Sequence, residues 1–344
     1  MEKSGRIRKG VSGKMKNESF NKIASGLRTY ISFSKGKYSS IMLLFIVFTL
    51  LPLFIPSNLL ASEDKDVLVL NSDASIYKYS LAQSELKAKI ATPKGEIDLG
   101  SKWIDERKIE KMINEIDPCV IYCIGSKAYQ MAYKLAEKKN IVFSLVINWR
   151  RHPIDKDTYG ISNELLQGAQ LMMYRYFFPD VNKIGILYNN KYSEEWFDIA
   201  VESAKDVGIR IVGKSISKPD KIESALKKLL PKVDALWLIP DPTVIYDIES
   251  VNKLFEQCQA AGKPIYTYDK AFVNLGATLI MSADIPTMIK QSAEIISGIQ
   301  GNMEIEEKVQ HPAGSHIILN MKKVEEYGLN LNIEALDSVN EIVR

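Results

Sequence analysis

Residues 184–200 read IGILYNNKYSEEWFDIA, in which an apolar run ends at a polar Tyr-Asn-Asn before a stretch with helical spacing. The short apolar run predicts a buried strand, and in the segment that follows, Trp196, Ala200 and Ala204 recur on one helical face. A strand that leads into a helix through a polar loop is the repeating unit of parallel α/β proteins. Since ligands in such proteins lie over the carboxyl ends of the strands, residues 188–190 are candidates for ligand contact.

The same unit recurs from Asp66 towards the C-terminus. The predicted strands are 67–71, 119–125, 141–147, 183–189, 209–216, 234–241, 264–269 and 278–283, and the predicted helices are 75–91, 104–115, 127–139, 164–177, 193–208, 220–230, 243–261 and 285–299. Near-continuous apolar strands between helices indicate parallel sheets that are covered on both faces. The predicted fold class is therefore α/β, with two doubly wound parallel-sheet domains joined by hinge crossovers.

Two polar segments suggest where the chain passes between the domains. The segment NWRRHPIDKDTYG at 148–160 separates two groups of strands, and YTYDKAFVNLG at 266–276 is a candidate second crossover. We predict that domain I contains residues 62–150 and 271–344, including strands at 278–283 and 316–320, and that domain II contains residues 151–270. A ligand would then bind between the two domains.

The first 61 residues differ in composition from the rest of the chain. Residues 1–40 carry ten Lys or Arg against two Glu, a net charge of +8, and residues 41–61 carry no charge. A basic segment followed by a short apolar core that Pro52 and Pro56 interrupt is typical of an export signal, because a membrane span needs about 20 apolar residues. We predict export to the periplasm with cleavage near Ala61. The alternative is an uncleaved segment that anchors the protein in the membrane.

Several classes of function are disfavoured by the remaining sequence. From Ser62 onwards the chain carries 35 Lys or Arg and 40 Asp or Glu, a net charge of −5, which disfavours nucleic-acid binding. The three His and three Cys show no paired spacing typical of a metal site. The sequence contains no Gly-x-Ser-x-Gly elbow, Walker loop or dinucleotide fingerprint. We therefore predict that the protein is not an enzyme and uses no cofactor or metal.

An ordered series of segments resembles a known family. YGISNELLQGAQLMMYRYFFPDVNKIGILYNN at 159–190 resembles the periplasmic substrate-binding proteins of ABC transporters that have the type 1 periplasmic-binding fold. It resembles in particular the branch that includes tryptophan and tyrosine binders, which shows Gly-Val-Ser-Asn-Glu, a helix and then Pro-x-Val-x-x-Ile-Gly-x-Leu-Tyr-Asn. Further similar segments lie in the family's order along the chain, at 123–132, 233–245, 263–269 and 316–331. The crossover at 148–160 departs from the family, whose members usually carry an Asp-Pro and a longer loop there.

The resemblance implies a function as well as a fold. It implies a monomeric solute-binding protein that captures a small, amino-acid-like ligand between its domains and delivers it to an ABC transporter permease in the membrane. The alternative is a membrane-anchored or periplasmic sensor module that reports ligand-induced closure to a receptor. An uncleaved segment at 41–61 would favour the sensor, whereas a mature chain that begins near Ser62 would favour the transport protein.

Seven residues near the ends of predicted strands are candidate ligand contacts. They are Ser72, Gly125, Ser126, Tyr188, Asn189, Asp241 and Asp269. The first N–H groups of a helix attract anions, so the turn at 125–127 is a candidate carboxylate site. The helix that follows Asn190 is a poorer site, because its predicted cap, Ser193, is followed directly by Glu194 and Glu195.

For the acidic candidates and for a pair of arginines, two interpretations stay open. Asp241 and Asp269 could face the ammonium group of a ligand, or they could be a helix cap and a solvated crossover residue. Arg150 and Arg151 lie in the unusual crossover, where an arginine could bind a carboxylate with two hydrogen bonds. Plain surface charge is the simpler interpretation of both arginines.

Overall fold

Two β-sheets, each covered by helices on both faces, form the framework of the protein. The structure, a computed structural model, describes residues 66–100 and 105–344. The predicted basic lead and the export signal or anchor at 1–61 lie outside the described residues.

The described residues contain thirteen strands and nine α-helices. The strands are β1 (Val67–Asn71), β2 (Gly95–Asp98), β3 (Val120–Ile124), β4 (Asn140–Ser144), β5 (Thr158–Ile161), β6 (Lys183–Tyr188), β7 (Arg210–Ser215), β8 (Ala235–Trp237), β9 (Ile265–Thr267), β10 (Leu279–Ala283), β11 (Val309–Gln310), β12 (Ser315–Asn320) and β13 (Glu341–Val343). The helices are α1 (Tyr77–Lys87), α2 (Glu106–Ile116), α3 (Ser126–Leu135), α4 (Gln167–Phe177), α5 (Asn190–Asp206), α6 (Ile222–Leu229), α7 (Ile248–Ala260), α8 (Ile285–Gln300) and α9 (Met321–Glu326).

The first sheet has the strand order β11-β5-β4-β3-β1-β2, and all of its pairs are parallel. Successive residues of β1 and β3 enter two separate apolar clusters, because side chains alternate across a strand. One cluster packs against α1 and α8, and the other against α2 and α3. We call this sheet with its four helices lobe 1.

The second sheet has the strand order β13-β12-β10-β9-β8-β6-β7. Its pairs are parallel except for β10 with β12. Two further apolar clusters cover its faces, one with α4 and α5 and the other with α6 and α7. We call this sheet with the helices α4 to α7 and α9 lobe 2. The α/β class with two sheet domains is confirmed.

The pairing of β10 corrects the predicted assignment of the C-terminal strands. The strands predicted at 278–283 and 316–320 do not return to domain I, because β10 pairs with β9 on one side and with β12 on the other. The segment 266–276 is likewise not a crossover, since it joins two strands of the second sheet through a short 3₁₀ helix. Only α8 and β11 return to lobe 1, where α8 packs on α1 and β11 pairs with β5.

The first break between the lobes also lies later than predicted. Residues 151–161 were assigned to domain II, yet β5 pairs with β4 in the first sheet. The chain therefore crosses between the lobes three times, at 162–166, at Asp284 and at 311–314. These three neighbouring segments form the hinge region.

A glycine in β5 leaves room for a core ring. Gly160 is paired with Phe143 on β4, and a Cβ at this position would lie 2.5 Å from that fully buried ring. We expect Gly160→Ala to lower the free energy of unfolding by about 1–3 kcal/mol through overpacking. Thermal unfolding of the purified protein measures the change. Gly168→Ala on α4 is the control, because its Cβ would lie 3.6 Å from Ser203, and helix propensity predicts a gain of up to about 1 kcal/mol. Equal effects of both substitutions would contradict the packing argument.

Candidate ligand-binding cleft

Three connected cavities form a cleft between lobe 1 and lobe 2. The outer cavity has a volume of about 340 Å³, the inner cavity about 110 Å³ and the lateral cavity about 420 Å³. The outer and inner cavities share Asn148, Glu164, Trp196, Ile239 and Pro240, and the inner and lateral cavities share Lys78, Asn163, Tyr268 and Asp269. Since each cavity has walls from both lobes, a ligand in the cleft would contact both of them.

Aromatic and aliphatic side chains form most of the inner cavity. Trp196 of α5 and Trp237 of β8 meet edge to face with their ring centroids 4.8 Å apart. Tyr268, which follows β9, adds a third ring, and the burial of its hydroxyl raises its pKa above the usual value. The inner cavity therefore offers flat apolar surfaces with a few polar groups at its edge, which suits an aromatic or aliphatic side chain.

The outer cavity is rich in charge but has no net charge. Its described lining contains the basic residues Arg150, Arg151 and Lys191 and the acidic residues Glu164, Glu194 and Glu195. A cavity with equal numbers of both signs favours a ligand that is neutral overall, because a phosphate or another anion would meet three carboxylates.

Two of these basic residues come from a single turn after β4. Residues Trp149–Arg151 form a 3₁₀ turn that follows Asn148, whose backbone is left-handed with φ 51°. Arg150 lies over the Trp149 ring and is ion-paired with Glu164. Arg151 lies 3.9 Å from the ring centroid of Tyr192 on α5, so it contacts the opposite lobe.

The turn at Gly125, predicted as an anion site, is engaged by the protein itself. The Ser72 hydroxyl accepts a hydrogen bond of 3.0 Å from the Ala128 N–H, and the Ser126 hydroxyl accepts one of 3.0 Å from the Ile147 N–H. Lys127 donates to the carbonyls of Leu99 and Gly100. Gly125 is the cap of α3, and Ser126 is the first residue of the helix.

Gly125 is required at this position by its backbone and by its neighbours. Its φ is 85°, and a Cβ there would lie 2.7 Å from the Ser72 hydroxyl oxygen. The turn therefore holds β1 and β3 close together at their carboxyl ends. Ser72, Gly125 and Ser126 do not line any of the three cavities.

Asn189 and Asp241 form a buried network that ties α5 to the end of β8. One carboxylate oxygen of Asp241 accepts from the Asn189 N–H at 2.8 Å and from the Ser193 hydroxyl at 2.7 Å, and the other accepts from the Thr243 N–H at 2.8 Å. The Asn189 side chain caps α5 by accepting from the Lys191 N–H, and it donates to the Thr243 hydroxyl. The predicted Ser193 cap is wrong, because α5 already begins at Asn190.

Tyr188 packs against α5 and does not reach the cleft. Its ring stacks on Phe197 with the centroids 4.2 Å apart and the planes 8° apart, and burial raises the pKa of its hydroxyl. Tyr188, Asn189 and Asp241 are absent from the described lining of all three cavities. Each supports the fold of lobe 2.

Among the seven predicted ligand residues, Asp269 alone lines any of the three described cavities, and it lines two of them. It lies in the wall between the inner and lateral cavities. One of its oxygens accepts from the Ala271 N–H at 2.9 Å, and the other lies 3.8 Å from the Lys78 ammonium group of lobe 1.

Sequence reasoning selected Asn190, which lines the outer cavity, but it missed other lining residues of the first crossover and of α5. Asn163 and Glu164 belonged to the matched segment at 159–190, and Trp196 was read only as part of an apolar helix face. Their common signal is a position just after a strand or on the first turns of the following helix. Within residues 66–100 and 105–344, no group of three or more His, Cys, Asp or Glu could hold a metal ion. In the same ranges, no helix has the length and apolar character that a membrane crossing requires.

The network around Asp241 predicts a defect in stability. In Asp241→Asn, the amide nitrogen would face donors on whichever side it lies, so we expect a loss of about 3 kcal/mol in the free energy of unfolding. Asp269→Asn is the matched control, since its side chain is 39% exposed and Asn also caps, and we expect a loss below about 1 kcal/mol. Thermal unfolding measures both variants. A stable Asp241→Asn protein with lost ligand affinity would instead support a direct ligand contact.

Comparisons with known proteins agree with this architecture. Residues 81–343 match the family described as ABC transporter substrate binding protein. A tyrosine-binding protein of Clostridioides difficile is 24% identical over 208 residues, which cover 57% of this chain. The matched part of the chain spans only 56% of the length of that relative.

Solved structures share the fold at low sequence identity. A ligand-free, open substrate-binding protein with adhesive properties from Clostridium difficile has a TM-score of 0.64 and 15% identity, covering 81% of this chain and 99% of that one. A domain from Streptococcus pneumonia in complex with L-Trp has a TM-score of 0.55 and 17% identity, covering 81% of this chain and 100% of that one. Both have two lobes of the type 1 periplasmic-binding fold. The chain therefore belongs to the ABC transporter substrate-binding protein family, whose members bind small ligands.

Proposed function

We propose that the protein is an exported solute-binding protein that captures an amino acid, with an aromatic side chain preferred, and delivers it to an ABC transporter. The observation that carries this proposal is the cleft itself, in which an inner cavity with aromatic walls adjoins an outer cavity with balanced charges. The basic lead and the short apolar core before Ser62 support export.

The shape of the cleft matches the two parts of an amino acid. An aromatic side chain would lie against Trp196 and Tyr268, where stacking and apolar burial stabilise it. The ammonium and carboxylate groups would remain in the outer cavity, where both signs of charge are present.

Walls from both lobes link ligand binding to closure. Asn148 lies on lobe 1 and Trp196 on lobe 2, and both line the outer and inner cavities. A ligand that contacts both favours the closed arrangement, since it gains contacts there that the open arrangement does not offer. A permease can then distinguish the loaded protein from the empty one. The relatives described as tyrosine-binding and as bound to L-Trp support the ligand class.

A screen of the twenty amino acids tests this function. We expect at least one aromatic amino acid to raise the melting temperature, because a ligand at 100 times its Kd adds about 2.7 kcal/mol to the stability. Native mass spectrometry of the protein purified from its host should show the corresponding adduct, and deletion of its gene should reduce uptake of that amino acid. A sugar or purine adduct, or no shift with any amino acid, would refute the ligand class.

Trp196 provides a sharper test of side-chain recognition. We expect Trp196→Leu to lower the ratio of aromatic to aliphatic amino-acid affinity by about 3- to 10-fold, because an aromatic pair contributes about 0.5–1.5 kcal/mol beyond burial. Phe197→Leu is the matched control, since Phe197 stacks on Tyr188 and does not line the three cavities. Isothermal titration calorimetry measures both ratios. An unchanged ratio in Trp196→Leu would exclude Trp196 from the side-chain site.

A further inference from the structure

An ion pair of opposite charges lies in the wall of the outer cavity. Arg150 comes from the turn after β4, and Glu164 from the crossover after β5. Their side chains are 27% and 14% exposed, and both residues line the cavity. The pair is therefore partly desolvated, and each partner remains open to a molecule in the cleft.

Arg150 retains unused hydrogen-bonding capacity. Its guanidinium group carries five N–H donors, and within the described ranges its only acceptor is the Glu164 carboxylate. The Trp149 ring, whose centroid lies 4.6 Å from the guanidinium carbon, supports the planar group from one side. A supported guanidinium with spare donors is suited to a second carboxylate, because Arg binds carboxylates through pairs of parallel hydrogen bonds.

Glu164 is held in place by its backbone. Its N–H donates to the Ser162 hydroxyl at 3.0 Å, and its carbonyl accepts from Nδ1–H of His311 at 3.0 Å. Ser162 and His311 lie on two different crossovers of the hinge region. Within the described ranges, one carboxylate oxygen of Glu164 bonds to Arg150 and the other has no protein donor. That oxygen can accept from an ammonium group.

The alternation of charge selects one kind of ligand. A cation and an anion side by side are complementary to a zwitterion that lies antiparallel to them, so that each ligand charge meets its opposite. The whole outer cavity has three basic and three acidic residues in its described lining, which disfavours a ligand with a large net charge. Glu164 also lines the inner cavity with Trp196, so a bound charged group would lie beside the place for the side chain.

We infer that Arg150 binds the α-carboxylate and Glu164 the α-ammonium group of a free amino acid. This inference rests on the proposed function and adds the two residues that bind the ligand's charged groups. The departure of the 148–160 segment from the family pattern thus acquires a role in recognition. The predicted site at Gly125 has its hydroxyls engaged within the fold, and this pair supplies an alternative carboxylate site.

Derivatives with one charge removed test the inference. The probes are L-tryptophan, L-tyrosine and L-phenylalanine, each beside its amide, which lacks the carboxylate, and its N-acetyl form, which lacks the ammonium group. Calorimetry gives their affinities for the wild type and for Arg150→Met and Glu164→Gln. In the wild type we expect either derivative to bind about 10- to 100-fold more weakly than the free amino acid, because a charged hydrogen bond contributes about 1.5–3 kcal/mol.

Each variant should lose one kind of discrimination. In Arg150→Met we expect the amide to bind nearly as well as the free amino acid, and in Glu164→Gln we expect the same of the N-acetyl form. Each comparison is a ratio within one variant, so a change in the folded fraction does not alter it. Arg107→Met is the matched control, since this arginine of α2 has a 94% exposed side chain and lines none of the three cavities, and it should keep both ratios.

Two results would overturn the inference in different ways. If both variants weaken all three forms equally, the pair is a structural ion pair, and the proposed amino-acid function stands without it. If none of the nine compounds binds the wild type, the inference is refuted. The screen of the twenty amino acids then decides separately whether solute capture stands.

Discussion

The buried carboxylate of Asp241 fixes the lobe 2 wall of the cleft. Asp241 is fully buried and accepts from the backbone and side chains at the start of α5 and from the backbone that follows β8. Trp196 lies one helical turn after Ser193, and Ile239 and Pro240 come just before Asp241. One carboxylate therefore sets the positions of both segments that face the ligand. Because a buried charge is costly unless its hydrogen bonds are complete, this network permits a single arrangement of the wall.

Lobe 1 contributes through the hinge region as well as through its sheet. Glu164 lies on the first crossover, and its carbonyl is hydrogen-bonded to His311 on the third. Relative movement of the lobes must therefore change the surroundings of Glu164 more than those of a residue within a sheet. A ligand group that contacts this carboxylate would be sensitive to the degree of closure. Recognition and movement thus depend on the same few residues.

The sequence predicted the buried strands well and the connections between the lobes poorly. β1, β3 and β6 are continuous apolar runs, whereas β2 reads GEID and alternates between exposed and half-buried residues. β11 has only two residues, and β13, at the edge of its sheet, is also short. Neither strand is long enough to show a recognisable alternation of apolar and polar residues. The assignment of β10 to the first domain failed because the true domain of this strand is determined by its pairing with β9 and β12. No local pattern specifies such pairing.

The seven candidate residues were predicted at the ends of strands, and of these seven only Asp269 lines any of the three cavities. Ser72, Asn189 and Asp241 have the residue types that a ligand needs, and the same types serve as helix caps. The direction of the side chain decides whether such a residue contacts a ligand or caps a helix. That direction depends on the helix that lies next to each residue. Arg150 shows the opposite case, since it resembles surface charge in the sequence but reaches the cleft through the turn at Trp149.

The contacts that the two lobes make with each other across the cleft stabilise the closed arrangement only weakly. Lys78 and Asp269 approach to 3.8 Å, with both side chains 39% exposed, and such an ion pair contributes about 0–1 kcal/mol. Arg151 over Tyr192 is a second contact across the cleft and adds about 0.5–1 kcal/mol at an exposed site. Because these two contacts together amount to about 0.5–2 kcal/mol, hinge entropy can offset them in the empty protein. Under the proposed function, a ligand between Glu164 and Trp196 would be desolvated on both sides and would contribute more than either contact, so its presence would decide whether the cleft stays closed.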